Sequence, residues 1–131
     1  MFVIYNLFLI PIILISPLIV LIRIFLGKED QIRFKEKYGF FPKKNKPNET
    51  IWIHGASVGE ILSIIPIVRK FEEDKRIKRI LITSSTISSS HILSKFKFKK
   101  TVHQFYPFDL NFLTKHFINH WKPKLAIFVD S

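Results

Sequence analysis

The sequence predicts an α/β fold, a parallel sheet of alternating strands and helices preceded by an N-terminal membrane helix. Two observations predict it. No charged side chain occurs before Arg23, and the run VIYNLFLIPIILISPLIVLI is long enough to cross a hydrocarbon core, which takes about 20 apolar residues. Beyond position 50, four short apolar runs bounded by polar or turn residues alternate with segments whose apolar residues recur at helical spacing.

The first segment opens Met1-Phe2-Val3, without the basic start and small-residue cleavage site of a removable signal peptide, so residues 1–26 read as a retained anchor. Pro11 and Pro17 interrupt it, which leaves two geometries: a kinked span, or a segment lying within one leaflet. Arg23, Lys28, Arg33, Lys35, Lys37, Lys43, Lys44 and Lys46 follow, and the positive-inside rule places the remainder in the cytoplasm. Residues 27–49 read as a basic connector, a short helix carrying Phe34, Tyr38, Phe40 and Phe41, closed by the turn-forming Lys46-Pro47-Asn48.

Residues 50–131 then form the folded domain. Strands are expected at 51–54, 79–83, 102–106 and 125–129, with helices at 60–71, 87–96 and 111–121 between them. The first of these helices places Ile61, Ile64, Ile65, Val68 and Phe71 on one face, and Pro66 in its interior predicts a kink. The last carries Leu113, Phe117 and Trp121 on its apolar stripe.

At 131 residues the chain holds one compact domain beside its hydrophobic start. A net charge of +11 suits nucleic acid, anionic lipid headgroups or a phosphorylated substrate equally well. The absence of cysteine excludes disulfides, thiolate metal sites and a cysteine nucleophile, and fits a reducing compartment.

Parallel sheets bind ligands at the carboxyl ends of their strands, so the connecting loops are where chemistry is sought. After the first strand comes Gly55-Ala56-Ser57-Val58-Gly59-Glu60, small residues leading into a helix whose free N–H groups can hold an anion. Ser57 stands where a dinucleotide fingerprint needs its second glycine, and no Gly-Lys-Ser/Thr follows as in a Walker loop. Ser57-Val58-Gly59-Glu60 also fits the S-x-x-E capping box, so Glu60 has two compatible roles, helix cap and proton acceptor. The hydroxyl-rich second loop offers Thr83, Ser84 and Thr86 to sugar or phosphate, or as caps, and Asp109 in the third loop stands where an N-cap is expected.

His116 and His120 are four residues apart on a helix but lack the adjoining glutamate of a zinc motif, so no metal site is expected. His54, His91 and His103 show no acid partner in the sequence and read as solvated or core histidines. The stretch Lys95-Phe96-Lys97-Phe98-Lys99-Lys100 reads as a solvated surface segment.

Several segments, in order, resemble the bacterial Kdo transferases, which move Kdo from CMP-Kdo onto a lipid A precursor at the inner membrane. They are the hydrophobic anchor, Arg33-Phe34-Lys35-Glu36-Lys37-Tyr38-Gly39 as R-x-x-E-[RK]-x-G, and His54-Gly55-Ala56-Ser57-Val58-Gly59-Glu60 followed by Ile65-Pro66-Ile67-Val68-Arg69. The Thr83 to Thr86 loop, Tyr106-Pro107-Phe108-Asp109 and Trp121-Lys122-Pro123-Lys124-Leu125-Ala126 complete the set. The resemblance implies the Rossmann-like N-terminal domain of a GT-B glycosyltransferase, with no cofactor. It makes Glu60 the general base of an inverting, metal-independent transfer, with loop 55–59 on the acceptor side. Lipid IVA would be the acceptor, CMP-Kdo the donor, and nucleic acid no partner. Where the chain reads Val129-Asp130-Ser131, family members continue with an acidic residue, Trp-Pro-Asn and the donor domain, so Asp130 would sit at the cleft and the chain alone would be inactive. Two further readings stand beside this one: a catalytically inactive, membrane-anchored glycolipid-binding remnant, and, last, a membrane-tethered nucleic-acid binder.

Overall fold

The computed structural model describes residues 2–42 and 49–130; Lys43, Lys44 and the expected turn at Lys46-Pro47-Asn48 lie outside them. The apolar start forms one helix, α1 (Phe2–Phe25), continuous through Pro11 and Pro17 and long and apolar enough to cross a membrane. Gly27, at φ 71, helps turn the chain out of it.

The short helix of the connector is a 3-10 helix, Arg33–Tyr38. Its start is fixed by Asp30, whose Oδ1 accepts the N–H groups of Ile32 (2.8 Å) and Arg33 (2.7 Å), and these bonds hold the Asp30 carboxyl below its ordinary range. Its end is fixed by Gly39 at φ 91, where a Cβ would lie 2.9 Å from Leu113 Cδ2. The positive φ favours glycine there, and a Cβ would also press on the end of the Leu113 side chain.

The sheet consists of β1 (Thr50–Gly55), β2 (Arg79–Ser84), β3 (Thr101–Phe105) and β4 (Pro123–Val129), all parallel, in the order β3-β2-β1-β4. Between them run α2 (Val58–Glu73), α3 (Ile87–Ser94) and α4 (Asn111–Trp121). The expected α/β architecture is therefore observed. Register places Trp52 beside Leu81 on one side and Ala126 on the other. Alternation along the strands sorts the core into two layers. Ile53, Ile80 and Ile82 pack with Ile61, Ile64, Ile65, Val68 and Leu93 from α2 and α3, while Trp52 and Leu81 pack with Phe117 and Trp121 of α4 on the opposite face.

The two sheet edges differ. Along β3, the Arg33 guanidinium donates to the carbonyl of His103 (2.9 Å) and the Glu36 carboxylate accepts the N–H of Phe105 (2.8 Å), so side chains of the 3-10 helix supply the pairing that a further strand would give. The two residues are themselves joined by a two-pronged ion pair. β4 is bonded to β1 on one side, and Leu125, Ala126 and Phe128 along it are exposed.

Candidate active site at the carboxyl edge of the sheet

Gly55 closes β1, and a Cβ on it would stand 3.2 Å from both Glu60 Cβ and Ile61 Cδ1. Its bare backbone lets α2 begin close to the strand, where a Cβ would press on both neighbours. Ser57, in extended conformation, is the N-cap: its hydroxyl accepts the N–H of Glu60 (3.3 Å), and Glu60 Oε2 accepts the N–H groups of Ala56 (2.6 Å) and Ser57 (3.4 Å). The capping box is thus made in full. Two of the N–H groups that the sequence offered to an external anion are occupied by the chain's own carboxylate. Val58 and Gly59 form the first turn of α2, where a Cβ on Gly59 would meet only Ser57 Oγ, at 4.0 Å.

His54 was not singled out by the sequence, yet it stands one residue before this loop. Its Nδ1 lies 2.8 Å from Thr83 Oγ1, which also accepts the indole N–H of Trp52 (2.9 Å). Its ring stacks obliquely on Tyr106 at 4.6 Å and faces Phe128 at 5.8 Å. Burial pushes the His54 pKa below its ordinary value, against the pull of the nearby Glu60 carboxylate, so the ring is neutral at physiological pH. Burial and the charge of Asp109 push the Tyr106 phenol up. The carboxyl edge beside Glu60 therefore carries a neutral imidazole and a protonated phenol, both hydrogen-bonding groups without charge.

The other candidates are distributed differently from the expectation. Thr83 and Ser84 are the last two residues of β2, not loop residues, and both are fully buried; Ser84 Oγ bonds His103 Nε2 at 2.7 Å. They are structural hydroxyls holding two histidines. Thr86 caps α3, accepting the N–H of Ser89 at 3.2 Å. Asp109 does not cap α4, whose N-cap position is Leu110; its carboxylate instead accepts a long hydrogen bond, 3.4 Å, from Tyr5 of α1. Asp130 is exposed beyond the end of β4. His116 and His120 flank Phe41, at ring distances of 5.0 and 5.3 Å, and His116 Nε2 donates to the Gly39 carbonyl.

A buried ion pair escaped the sequence altogether. Glu29, 4% exposed, takes the Lys37 ammonium at 2.9 Å and the Arg23 guanidinium at 3.3 Å, and Lys37 also donates to the Ser85 carbonyl at 3.2 Å. Glu29 and Lys37 are drawn together only by the turn after α1, and nothing in their spacing announces it.

A carboxylate on a strand-to-helix turn, on an α/β domain with an apolar helix at its start, is common to several enzyme classes; comparison with known proteins decides among them. The family model described as 3-Deoxy-D-manno-octulosonic-acid transferase (kdotransferase) matches residues 32–131. The chain belongs to the Kdo transferase family. It is 41% identical over 113 residues to the 3-deoxy-D-manno-octulosonic acid transferase of Rickettsia bellii, covering 86% of this chain and 27% of that protein. A probable mitochondrial 3-deoxy-D-manno-octulosonic acid transferase of Arabidopsis thaliana is 31% identical over 80% of this chain and 24% of its own length. The Haemophilus influenzae transferase is 34% identical over 76% of this chain and 23% of its own. The chain spans about a quarter of the length of these curated relatives.

Several Kdo transferase motif residues now have physical reasons. Arg33, Glu36 and Gly39 close the β3 edge and end the 3-10 helix. Phe108 donates its N–H to the Lys37 carbonyl (3.0 Å) and sets its ring edge-on to Tyr38, tying the third loop to the connector. Trp121 is buried and donates to Gln104 Oε1 at 2.7 Å, Lys122 turns the chain at φ 46, and Pro123 starts β4.

Proposed function

We propose that this chain is the acceptor-side, N-terminal part of a GT-B Kdo transferase that moves Kdo from CMP-Kdo to lipid IVA in lipopolysaccharide assembly, on the cytoplasmic face of the inner membrane. Glu60 carries the reading. Its carboxylate is fixed at the carboxyl edge of the sheet by two backbone N–H groups on Oε2, and a carboxylate held there is the chain's group for accepting a hydroxyl proton. As the acceptor hydroxyl attacks the anomeric carbon, the C–O bond to CMP breaks and the proton passes to Glu60, with inversion and without a metal. Open space over Gly59 suits an incoming sugar, since nothing in the chain itself demands a glycine there.

The relatives are about three times as long as this chain, and we propose that donor binding resides in the part this chain does not match, so the chain alone transfers no sugar. The test is a hybrid in which the chain replaces the matching stretch of the Rickettsia bellii relative, assayed for CMP-Kdo-dependent transfer to lipid IVA. Activity is expected from the hybrid, with a loss of about 10²–10⁴-fold in Glu60→Gln, the usual worth of a general base. A second reading, an inactive glycolipid-binding remnant, is favoured by the use of Glu60 in the helix cap. A hybrid that folds and binds lipid IVA without transferring Kdo, or that keeps full turnover after Glu60→Gln, would overturn Glu60 as the base.

A further inference from the structure

The way α1 meets the domain fixes how it can meet a membrane. Asn6, Leu9, Ile13, Ser16, Val20 and Arg23 are at least partly buried, a repeat of three and four residues that makes one straight stripe along the helix. Apart from Ile24 at its end, the other described side chains of α1 are exposed. Polar bonds pin this side at three depths: Tyr5 to Asp109 (3.4 Å), Ser16 to Tyr38 (2.7 Å) and Arg23 to Glu29 (3.3 Å). From Tyr5 to Arg23 the helix runs about 27 Å at 1.5 Å per residue, so the domain lies alongside almost its whole length. The polar residues of α1, Tyr5, Asn6, Ser16 and Arg23, lie on or beside the domain-facing stripe, and the opposite face is hydrocarbon throughout.

A helix standing across the bilayer with the domain so attached would carry Asp109 and the irregular loop before α4 about 27 Å into or through the hydrocarbon. A carboxylate and irregular loop backbone facing lipid are excluded from that environment. We infer that α1 lies in the plane of the membrane, its outer face sunk into a single leaflet and its polar stripe docked on the domain, with both ends of the helix on the same side as the sheet. On the lipid-facing side Ile4, Ile15 and Ile22, spaced along the helix, are 61, 55 and 52% exposed. Exposed Phe112, which shares an apolar groove with Ile10, Ile13 and Leu14, widens that face. Exposed Lys28 and Lys35, just past the helix, are placed to meet anionic headgroups. The inference rests on α1 being a membrane anchor and specifies its geometry.

Because the chain has no cysteine, single thiols report cleanly. The full chain carrying Ile4→Cys, Ile15→Cys or Ile22→Cys, each with an environment-sensitive fluorophore, is bound to phosphatidylcholine–phosphatidylglycerol vesicles containing nitroxide at a shallow or a deep acyl position. The same shallow-to-deep quenching ratio at all three positions is expected. A ratio that marks Ile15 as deep and the other two as shallow would mean a spanning helix and overturn the inference. In inverted membrane vesicles, an impermeant maleimide should label Phe2→Cys and Lys75→Cys together; labelling of Phe2→Cys only after permeabilisation overturns it as well. Failure to bind vesicles at all would refute the anchor itself, and dimerisation in solution with no quenching would assign the apolar face to a second copy.

Discussion

Glu60 caps α2, and the proposed mechanism gives it a second duty as proton acceptor; substitutions can separate the two. Glutamine keeps an oxygen for the Ala56 and Ser57 amides but cannot take a proton, so Glu60→Gln should leave stability nearly unchanged while cutting turnover in the hybrid by about 10²–10⁴-fold. Ser57→Ala should do the reverse, costing about 0.5–2 kcal/mol of stability with transfer largely kept; denaturant titration beside the transfer assay distinguishes the pair. His103 makes a different kind of prediction. The Arg33 guanidinium only donates, so Nδ1 of His103 accepts from it and the ring proton sits on Nε2 toward Ser84. Burial and that guanidinium push the His103 pKa down to about 3. Below pH 6.5 the unfolded chain takes up a proton that the folded one refuses, so stability falls as pH drops from about 6.5 to about 3, by up to ~1.4 kcal/mol per pH unit. Unfolding in detergent micelles should show this slope, and His103→Gln should flatten it. The cap at Glu60 was legible because its partners are three and four residues away. The partners of His54 and His103 come from other strands and the connector, which no local pattern reveals.

Among the elements, α4 falls at 111–121 as its apolar spacing indicates, because Leu113, Phe117 and Trp121 repeat the helical period without interruption. The connector was harder to read. The expected short helix is present, but Asp30 at its start and Gly39 at its end confine it to six residues, Arg33–Tyr38, and a 3-10 geometry fits the bond from Gly39 N to the Glu36 carbonyl. Asp109 looked like a cap by residue type alone; a contact with Tyr5, more than a hundred positions away, takes its place. The same long-range logic governs Glu29, the charge that joins α1 to the connector. Glu29→Ala would leave the Lys37 ammonium buried without its counter-charge, a loss of about 3–5 kcal/mol. Urea unfolding monitored by Trp52 and Trp121 fluorescence checks it.

For the whole molecule, the contrast between the two sheet edges matters most. β3 is closed by Arg33 and Glu36, whereas β4 presents exposed apolar side chains beside its outer backbone. An edge of that kind pairs with whatever strand it meets. The isolated chain should therefore self-associate with rising concentration, and Leu125→Lys should suppress this in sedimentation velocity without unfolding the sheet. Strand order was not readable from the sequence, since four alternating runs permit several arrangements, but the parallel direction was, because each pair of runs is separated by a helix.

Arg23 on α1, Glu29 after it, Lys37 in the connector and the Ser85 carbonyl beyond β2 form one unbroken relay of charge and dipole. Rolling the helix about its own axis would strip a carboxylate that has no water to retreat to, so the amphiphile and the sheet can only pivot together. With α1 bedded in lipid as inferred, lateral pressure would thus reach the carboxyl edge of the sheet as a tilt of helix and domain together.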